Sequence, residues 1–338
     1  MEDFFGVDAM TILIKNYSND RTNPLNIDMY GVFDGHLGTY AVKYLVKILF
    51  PTLKRKIMQN CFDDENEIIL TTDTDDNDFE DQSSCIGISL RKTFQEVDAN
   101  LLHLLRTMKY QAGSLHGQRS IGKSQTTYST ENNGIDSGST ATIVIRTDDL
   151  NDSQHDIVTV ASVGDSRGVL CCDENGSYIL MSDDHKPDDP DEKERIERNG
   201  GYLEKRGVWR VNGKLAISRS FGDLELKKKR LLNAMPSIKS TVCTRKVSAE
   251  GDNAHNFANS QQNIVECLFI ILATDGVWDV ISNEEAVAVV NASFDLFGPQ
   301  SENMDRHMFA QNASSALTQE VYVRDSRDNI GVMIIAMW

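Results

Sequence analysis

The sequence has no run of about 18 apolar residues, the length that a transmembrane helix needs. Its first residues, Met1-Glu2-Asp3-Phe4-Phe5, lack the basic start and the apolar stretch of a secretory signal peptide. Its six cysteines form no CxxC pair and no spacing typical of a disulfide framework. We therefore expect a cytoplasmic or nuclear protein whose cysteines are free thiols in a reducing compartment.

Basic residues are scarce: 34 Lys and Arg face 51 Asp and Glu, which gives a net charge of −17. Nucleic acids and anionic membranes both bind to basic surfaces, so the composition disfavours both as partners. The excess is largely local, because residues 62–82 contain ten acidic and no basic residues, and without them the net charge is −7. Such a block predicts a solvated loop.

Strands and helices are mixed along the chain without regular alternation. Apolar alternation and β-branched runs predict strands at residues 11–15, 28–33, 140–146, 157–163, 168–172, 178–181, 238–244, 267–273 and 331–337. Helical periodicity predicts helices at 39–57, 88–108, 190–199, 284–297 and 305–323. Long consecutive β stretches between helix pairs indicate an α+β fold with antiparallel sheets covered by helices.

Three polar segments, 62–84, 110–137 and 246–264, are rich in Ser, Asn, Gly, Asp and Gln. Strand patterns continue on both sides of each segment. We therefore interpret them as insertions in one domain that spans residues 1–338, and not as linkers between two domains.

Acidic residues recur at the ends of apolar runs. Asp34 ends one predicted strand and is followed by Gly35 and His36, and Asp275 ends another and is followed by Gly276. The other acids at such positions are Glu2, Asp3, Asp165, Asp279 and Asp328. Each one alone is typical of a turn.

Carboxylates brought to one edge of a sheet by neighbouring strands would repel each other unless a cation compensates their charge. A site made only of oxygen ligands favours Mg²⁺ or Mn²⁺, and no His/Cys cluster of the zinc type is present. The sequence therefore predicts a hard-metal centre.

At these residues the sequence resembles the protein phosphatase 2C family, the PPM-type metal-dependent Ser/Thr phosphatases. The matching segments follow the family's order through nearly the whole chain, which makes them far more specific than one short motif. They are Met1-Glu2-Asp3, Phe33-Asp34-Gly35-His36, Ser137-Gly138-Ser139-Thr140-Ala141, Ser162-Val163-Gly164-Asp165-Ser166-Arg167, Asp184-His185-Lys186-Pro187, Glu194-Arg195-Ile196 with Gly200-Gly201, the stretch from Val211 to Arg219, Phe221-Gly222-Asp223, Thr274-Asp275-Gly276-Val277-Trp278-Asp279 and Ser326-Arg327-Asp328-Asn329.

The resemblance implies a central antiparallel β-sandwich flanked by helix pairs (α-β-β-α), with a flap subdomain near the active site. It also implies a binuclear Mn²⁺ or Mg²⁺ centre and a weaker third ion. Asp34 would bridge the two metals, Asp275 and Asp328 would complete one shell, and Glu2 and the Gly35 carbonyl would serve the other. Asp3 would orient bound water, and Asp165, Asp275 and Asp279 would hold the third ion.

The implied reaction is hydrolysis of phosphoserine and phosphothreonine in proteins by a metal-activated water. His36 would protonate the leaving seryl or threonyl oxygen as general acid. Asp223, Trp209 and Trp278 are interpreted as structural residues, and His185 as non-catalytic. The expected partners are phosphoprotein substrates, and the expected state is a monomer.

Three departures from the family pattern concern the turn after Asp-Gly-His, the position of Gly331 and the start of the chain. Leu37 replaces a small residue, and Gly331 stands where the family often has Thr or Ser. The family's phosphate-binding Arg lies four residues before the Glu of Met-Glu-Asp, a position that precedes Met1, and an early strand would be missing too. Absence of that Arg would weaken phosphate binding.

Three functions are compatible with such a site. The first is an active phosphatase. The second is a pseudophosphatase that binds phosphoproteins as a scaffold: the missing Arg favours it, whereas the retained acids Asp34, Asp275 and Asp328 oppose it. The third, a metal-dependent nuclease, is disfavoured by the net charge of −17.

Overall fold

The computed structural model describes residues 2–16, 21–61, 84–117, 135–148, 155–244, 264–297 and 305–338. Their strands are β1 (Asp3–Asn16), β2 (Arg21–His36), β3 (Gly138–Ser139), β4 (Ala141–Asp148), β5 (His155–Val163), β6 (Arg167–Cys171), β7 (Tyr178–Leu180), β8 (Leu203–Arg206), β9 (Val208–Val211), β10 (Phe221–Gly222), β11 (Ser237–Thr244), β12 (Ile264–Glu266), β13 (Phe269–Ala273) and β14 (Val332–Ala336). Their helices are α1 (Tyr40–Cys61), α2 (Cys85–Gly117), α3 (Pro190–Arg198), α4 (Leu224–Lys228), α5 (Asp275–Trp278), α6 (Asn283–Phe297) and α7 (Arg306–Val323).

Two sheets pack face to face and form a β-sandwich. The first has the order β10-β3-β2-β4-β5-β11-β12, with β1 also paired to β2, and the second has the order β14-β13-β6-β7. Apolar side chains of both sheets, among them Val144, Val160, Leu170 and Ile270, form a buried layer between them. Because both faces of each sheet are covered, central strands such as β13 are apolar throughout.

A pair of helices covers the outer face of each sheet. Helices α1 and α2 pack on the first sheet through a core that includes Leu45, Leu49 and Phe94. Helices α6 and α7 pack on the second sheet around Phe294, Phe309 and Trp338, whose rings meet edge-to-face or tilted at centroid distances of 4.9–5.8 Å. The predicted α+β sandwich with flanking helix pairs is thus confirmed.

A small subdomain follows β7 and forms the flap. It consists of α3, the two-stranded sheet β8-β9 and α4. It has its own apolar cluster, built from Ile196, Val211, Leu226, Leu231 and Leu232.

The structure corrects two expectations. Residues 110–117, predicted as a loop, continue helix α2 to Gly117. Strand β12 pairs with β11 in parallel, so the first sheet is not wholly antiparallel. Residues 62–83, 118–134 and 245–263, which make up most of the three predicted insertions, lie outside the described residues.

The expectation of six free thiols is also wrong. Cys243 and Cys267 form a disulfide with a Cα–Cα distance of 5.5 Å. Cys243 lies opposite Val265 in the β11-β12 pair, and Cys267 is two residues farther along the chain. Strand pairing therefore joins two cysteines whose separation of 24 residues matches no recognised spacing. Cys171 and Cys172 are free.

Within the described parts of the chain, no helix is long and apolar enough to cross a membrane.

Candidate active site

The acids predicted for the site meet at one end of the sandwich because of strand pairing. In the antiparallel β1-β2 pair, Asp3 lies directly opposite Asp34. Asp275 begins α5 immediately after β13, and the backbone of Thr274 pairs with Gly331 just before β14, which brings the Asp328 loop to the same end. The strand ends converge as predicted, but not on the edge of one sheet: β1 and β2 belong to the first sheet, and β13 and β14 to the second.

Asp34 lies at the centre of this carboxylate cluster. Its backbone is fixed on both sides by Thr140, whose hydroxyl lies 3.1 Å from the Asp34 amide and whose amide donates to the Asp34 carbonyl. Burial, which is the larger cause, and repulsion from neighbouring carboxylates together raise the pKa of Asp34 to about 10. The contributing neighbours are Asp3, Asp165, Asp275 and Asp328.

Asp275 shows the same effect more weakly. Burial, which is the larger cause, and the charges of Asp165, Asp328 and Asp279 together raise its pKa to about 7. The site thus holds more negative charge than its own residues can neutralise.

Lys186 is the cation that the structure places in this cluster. Its ammonium group contacts the carboxylate of Asp165, which is buried. Burial raises the pKa of Asp165, and Lys186 offsets part of that rise. Asp165 was predicted as a ligand of the weaker third ion, so in this structure a lysine neutralises the carboxylate assigned to that ion.

Asp3 is held by a network around Thr274. The Thr274 hydroxyl donates to Asp3 Oδ2 at 2.9 Å and accepts from the Gly331 amide at 3.0 Å. A Cβ atom added at Gly331 would lie 2.9 Å from Asp3 Oδ2, so a larger residue at this position would disturb Asp3. The departure at Gly331 is explained by this close approach.

Glu2 and Gly35 are joined through the backbone. The Gly35 amide donates to the Glu2 carbonyl at 3.0 Å, and the Glu2 side chain accepts from the Gly38 amide at 3.2 Å. The intervening Leu37 has a φ of 55°, in the left-handed region, and its side chain is largely exposed. Leu37, which replaces a small residue of the family pattern, therefore has a backbone conformation that disfavours a residue with a Cβ atom.

His36 pairs with Asp223, which the sequence suggested was only structural. His36 Nε2 lies 2.8 Å from Asp223 Oδ2, and the same carboxylate accepts from the Ser220 hydroxyl. Burial lowers the pKa of His36, but the charge and hydrogen bond of Asp223 outweigh burial and raise it above its ordinary value. Asp223 therefore favours the protonated ring that a general acid needs.

Three further residues, His185, Trp278 and Trp209, make contacts of a structural kind. His185 is buried, and its pKa is lowered to about 4, mainly by burial. Trp278 packs in the second core and donates from Nε1 to the Ala273 carbonyl at 2.9 Å. Trp209 packs under Lys205 in the flap at 5.5 Å. These contacts agree with the structural interpretation of all three.

The donor chemistry of the cluster suits a hard divalent cation. Its side-chain donors are carboxylates, and the high pKa of Asp34 shows that they need positive charge to be ionised together. Among the described residues, no three His, Cys, Asp or Glu side chains are already arranged to hold one ion. The fit therefore rests on charge and ligand type.

Sequence reasoning missed two contributors to the site, Lys186 and Thr274, and took Asp223 for a structural residue only. Lys186 is part of the Asp184-His185-Lys186-Pro187 motif, which indicated the family but did not indicate a role for the lysine. Thr274 precedes Asp275 directly, and Asp223 ends the Phe221-Gly222-Asp223 motif. Each is polar and buried or half-buried beside the cluster, a property that only the folded chain shows.

Comparison with known proteins identifies the family. The model of the protein phosphatase 2C family matches residues 87–330. A rice protein (Oryza sativa subsp. japonica) named "Probable protein phosphatase 2C 59" is 31% identical over 340 residues, which cover 99% of this chain and 71% of that protein. Bovine (Bos taurus) "Protein phosphatase 1L" is 32% identical over 317 residues, which cover 94% of this chain and 66% of the relative.

Solved structures show the same fold. A serine-threonine phosphatase 2C from Toxoplasma gondii aligns with a TM-score of 0.59 at 20% identity, over 99% of this chain and 95% of that one. A sex-determining protein of C. elegans aligns with a TM-score of 0.58 at 19% identity, over 99% of this chain and 65% of that one. From the family model and these relatives together, we conclude that the chain belongs to the protein phosphatase 2C family of serine/threonine phosphatases.

Proposed function

We propose that this chain hydrolyses phosphoserine and phosphothreonine in proteins at the carboxylate cluster around Asp34. The observation that supports the proposal is the gathering of buried carboxylates at one end of the sandwich, where the pKa of Asp34 rises to about 10 and that of Asp275 to about 7. Such a cluster is costly for a fold unless cations bind there.

Each predicted ligand has a place in this proposal. Asp34 would bridge two Mn²⁺ or Mg²⁺ ions, with Asp275 and Asp328 on one and Glu2 and the Gly35 carbonyl on the other. Asp165, Asp275 and Asp279 would hold a weaker third ion. Bound ions would supply an acidified water as nucleophile and would offset the charge of the phosphoryl oxygens.

The protein's own residues would complete the reaction. The Asp223 carboxylate holds His36 through Nε2 at 2.8 Å, which orients the ring and stabilises its proton. His36 would give a proton to the seryl or threonyl oxygen as the bond to phosphorus breaks. Thr274 would keep Asp3 in position to orient a water.

The decisive experiment compares the parent chain with Asp34→Asn. In chelator, Asp34→Asn should melt at a higher temperature than the parent at pH 8, because the pKa of about 10 means that folding must protonate this carboxyl, and Asn removes that cost. Added Mn²⁺ should raise the melting temperature and the phosphatase activity of the parent but leave those of Asp34→Asn nearly unchanged. Full parent activity in excess chelator, after metal removal is verified, would refute the metal centre.

A pseudophosphatase gives a different result in the same assay. It would bind phosphopeptide, and Mn²⁺ would stabilise it, without turnover of any phosphate ester. The cytoplasmic or nuclear location, the monomeric state and the single catalytic domain over 1–338 stay predictions of the sequence.

A further inference from the structure

Positive charge, scarce in this chain as a whole, is concentrated in the flap. Residues 190–233, which include α3, contain twelve basic and seven acidic residues, a net of +5 in a chain of net −17, so the rest carries −22. An acidic peptide is therefore repelled by most of this protein and attracted by this segment.

The flap is anchored to the active site at both of its ends. Before it, Lys186 contacts Asp165 in the carboxylate cluster. Near its C-terminal end, Asp223 contacts His36. Both ends of the flap are consequently fixed beside the position where a phosphorylated side chain would react.

Several of these cations are already paired, and others are not. Arg219 binds Glu192, Lys227 binds Asp98, and Lys228 binds Glu225. The exposed cations without an ion pair to any described residue are Lys205, Lys214, Lys229 and Arg230, and we call these four the cationic rim. They belong to one unit, because the β8-β9 sheet and the residues after α4 share one apolar cluster.

The distance between the cationic rim and Asp223 determines which positions of a bound peptide the rim can contact. Lys229 follows Asp223 by one short helix, and at 1.5 Å of rise per residue it lies roughly 9 Å along the helix from Asp223. An extended peptide covers about the same distance in roughly three residues.

We infer that the cationic rim binds acidic side chains located two to four positions from the phosphorylated residue, so that acidic phosphopeptides are the preferred substrates. This inference rests on the proposed phosphatase function. Exposed ion pairs are individually weak, so we expect reversal of two charges to change the specificity by roughly five- to thirtyfold.

The test uses the full chain and three phosphothreonine peptides of equal length. One has Asp at the second to fourth positions after the phosphothreonine, one has Asp at the corresponding positions before it, and one has Gln throughout. The variant is Lys229→Glu with Arg230→Glu. The matched control, Lys92→Glu with Arg306→Glu, changes the net charge equally on the exposed surface of α2 and at the start of α7.

With Mn²⁺ present, the parent should show a higher kcat/KM for at least one Asp peptide than for the Gln peptide. The kcat/KM of the rim variant should fall about five- to thirtyfold below that of the parent with that Asp peptide. With the Gln peptide the corresponding fold loss should be at least fivefold smaller. The control should keep the parent's preference. The preference should also shrink in about 0.5 M salt, because exposed charges are screened there.

Equal kcat/KM values for the Asp and Gln peptides in the parent would overturn the inference, and so would an equal loss of preference in the control. If the chain hydrolyses neither peptide nor p-nitrophenyl phosphate, the proposed function fails, and fluorescence anisotropy of the same labelled peptides then tests the rim by itself. Equal dissociation constants for the Asp and Gln peptides would refute it in that case.

Discussion

His36 lies between the carboxylate cluster and the flap, and its role can be separated from that of a packing residue. A seryl or threonyl alkoxide is a poor leaving group that needs a proton, whereas nitrophenolate is stable without one. We expect His36→Gln to slow hydrolysis of a phosphothreonine peptide about 10²–10⁴-fold and that of p-nitrophenyl phosphate far less, with steady-state rates as the measurement. Equal slowing of both substrates, with weaker Mn²⁺ binding, would instead show that His36 only fixes the turn.

The contact between His36 and Asp223 predicts a pH-dependent stability. The raised pKa of His36 means that the folded chain holds the proton more tightly than the unfolded chain. The stabilisation is therefore complete below the ordinary histidine pKa of about 6.5 and is lost as pH rises through the raised value.

Asp223→Asn should accordingly destabilise the metal-free chain by about 1–2 kcal/mol at pH 6 and by clearly less at pH 9. Urea midpoints of both proteins in chelator measure this difference, in which the titration of the other carboxylates cancels. Asn is suited to the left-handed backbone of this position, where φ is 51°, so the substitution adds no strain. A loss that is the same at both pH values would mean that His36 is not charged in the fold.

The flap depends on one buried carboxylate in α3. Glu192 accepts hydrogen bonds from Arg219 at 2.8 and 2.9 Å and from Arg195 at 2.7 Å. Burial raises the pKa of Glu192, but these hydrogen bonds outweigh burial and hold it at about 2. The network ties α3 to the chain segment that leads into Asp223.

Glu192→Gln should destabilise the flap by about 3 kcal/mol near neutral pH, the value that corresponds to a pKa lowered from 4.5 to about 2. Because the lowered pKa belongs to an acid, this stabilisation is present above pH 4.5 and is lost as pH falls towards 2. Hydrogen exchange should speed up in α3 and β8-β9 but not in β13. The control is Glu194→Gln on the same helix, whose pair with Arg198 is exposed and should contribute little.

The charge of the whole molecule is dominated by a segment outside the described residues. Deleting residues 63–81 removes ten acids, which changes the net charge from −17 to −7. We expect the deletion to leave Mn²⁺ dependence and peptide turnover within about twofold of the parent, because the acidic composition of this segment predicts that it contributes little to a core. A loss of metal binding comparable to that of Asp34→Asn would show that the loop contributes to the site.

The elements of the sandwich could be predicted because their signals are local. Burial can be predicted directly from the fully apolar run 267–273 and from the apolar stripe of the helix at 39–57. The flap hairpin β8-β9 was not predicted, because its exposed residues Lys205, Arg206 and Val208 show no apolar alternation. Its stability comes from the shared cluster with α3 and α4, which involves residues distant in sequence.

The sequence by itself determined the fold class, the family and the set of acids, because period-two and period-3.6 apolar patterns and ordered motifs are written along the chain. Only the tertiary structure decided that Lys186 neutralises Asp165, that Asp223 favours the protonated form of His36, and that Cys243 forms a disulfide with Cys267. The residues of these three pairs are 21, 187 and 24 positions apart in the sequence, respectively. Charge compensation and pKa depend on distance through space and on burial, and neither quantity exists until the strands have paired.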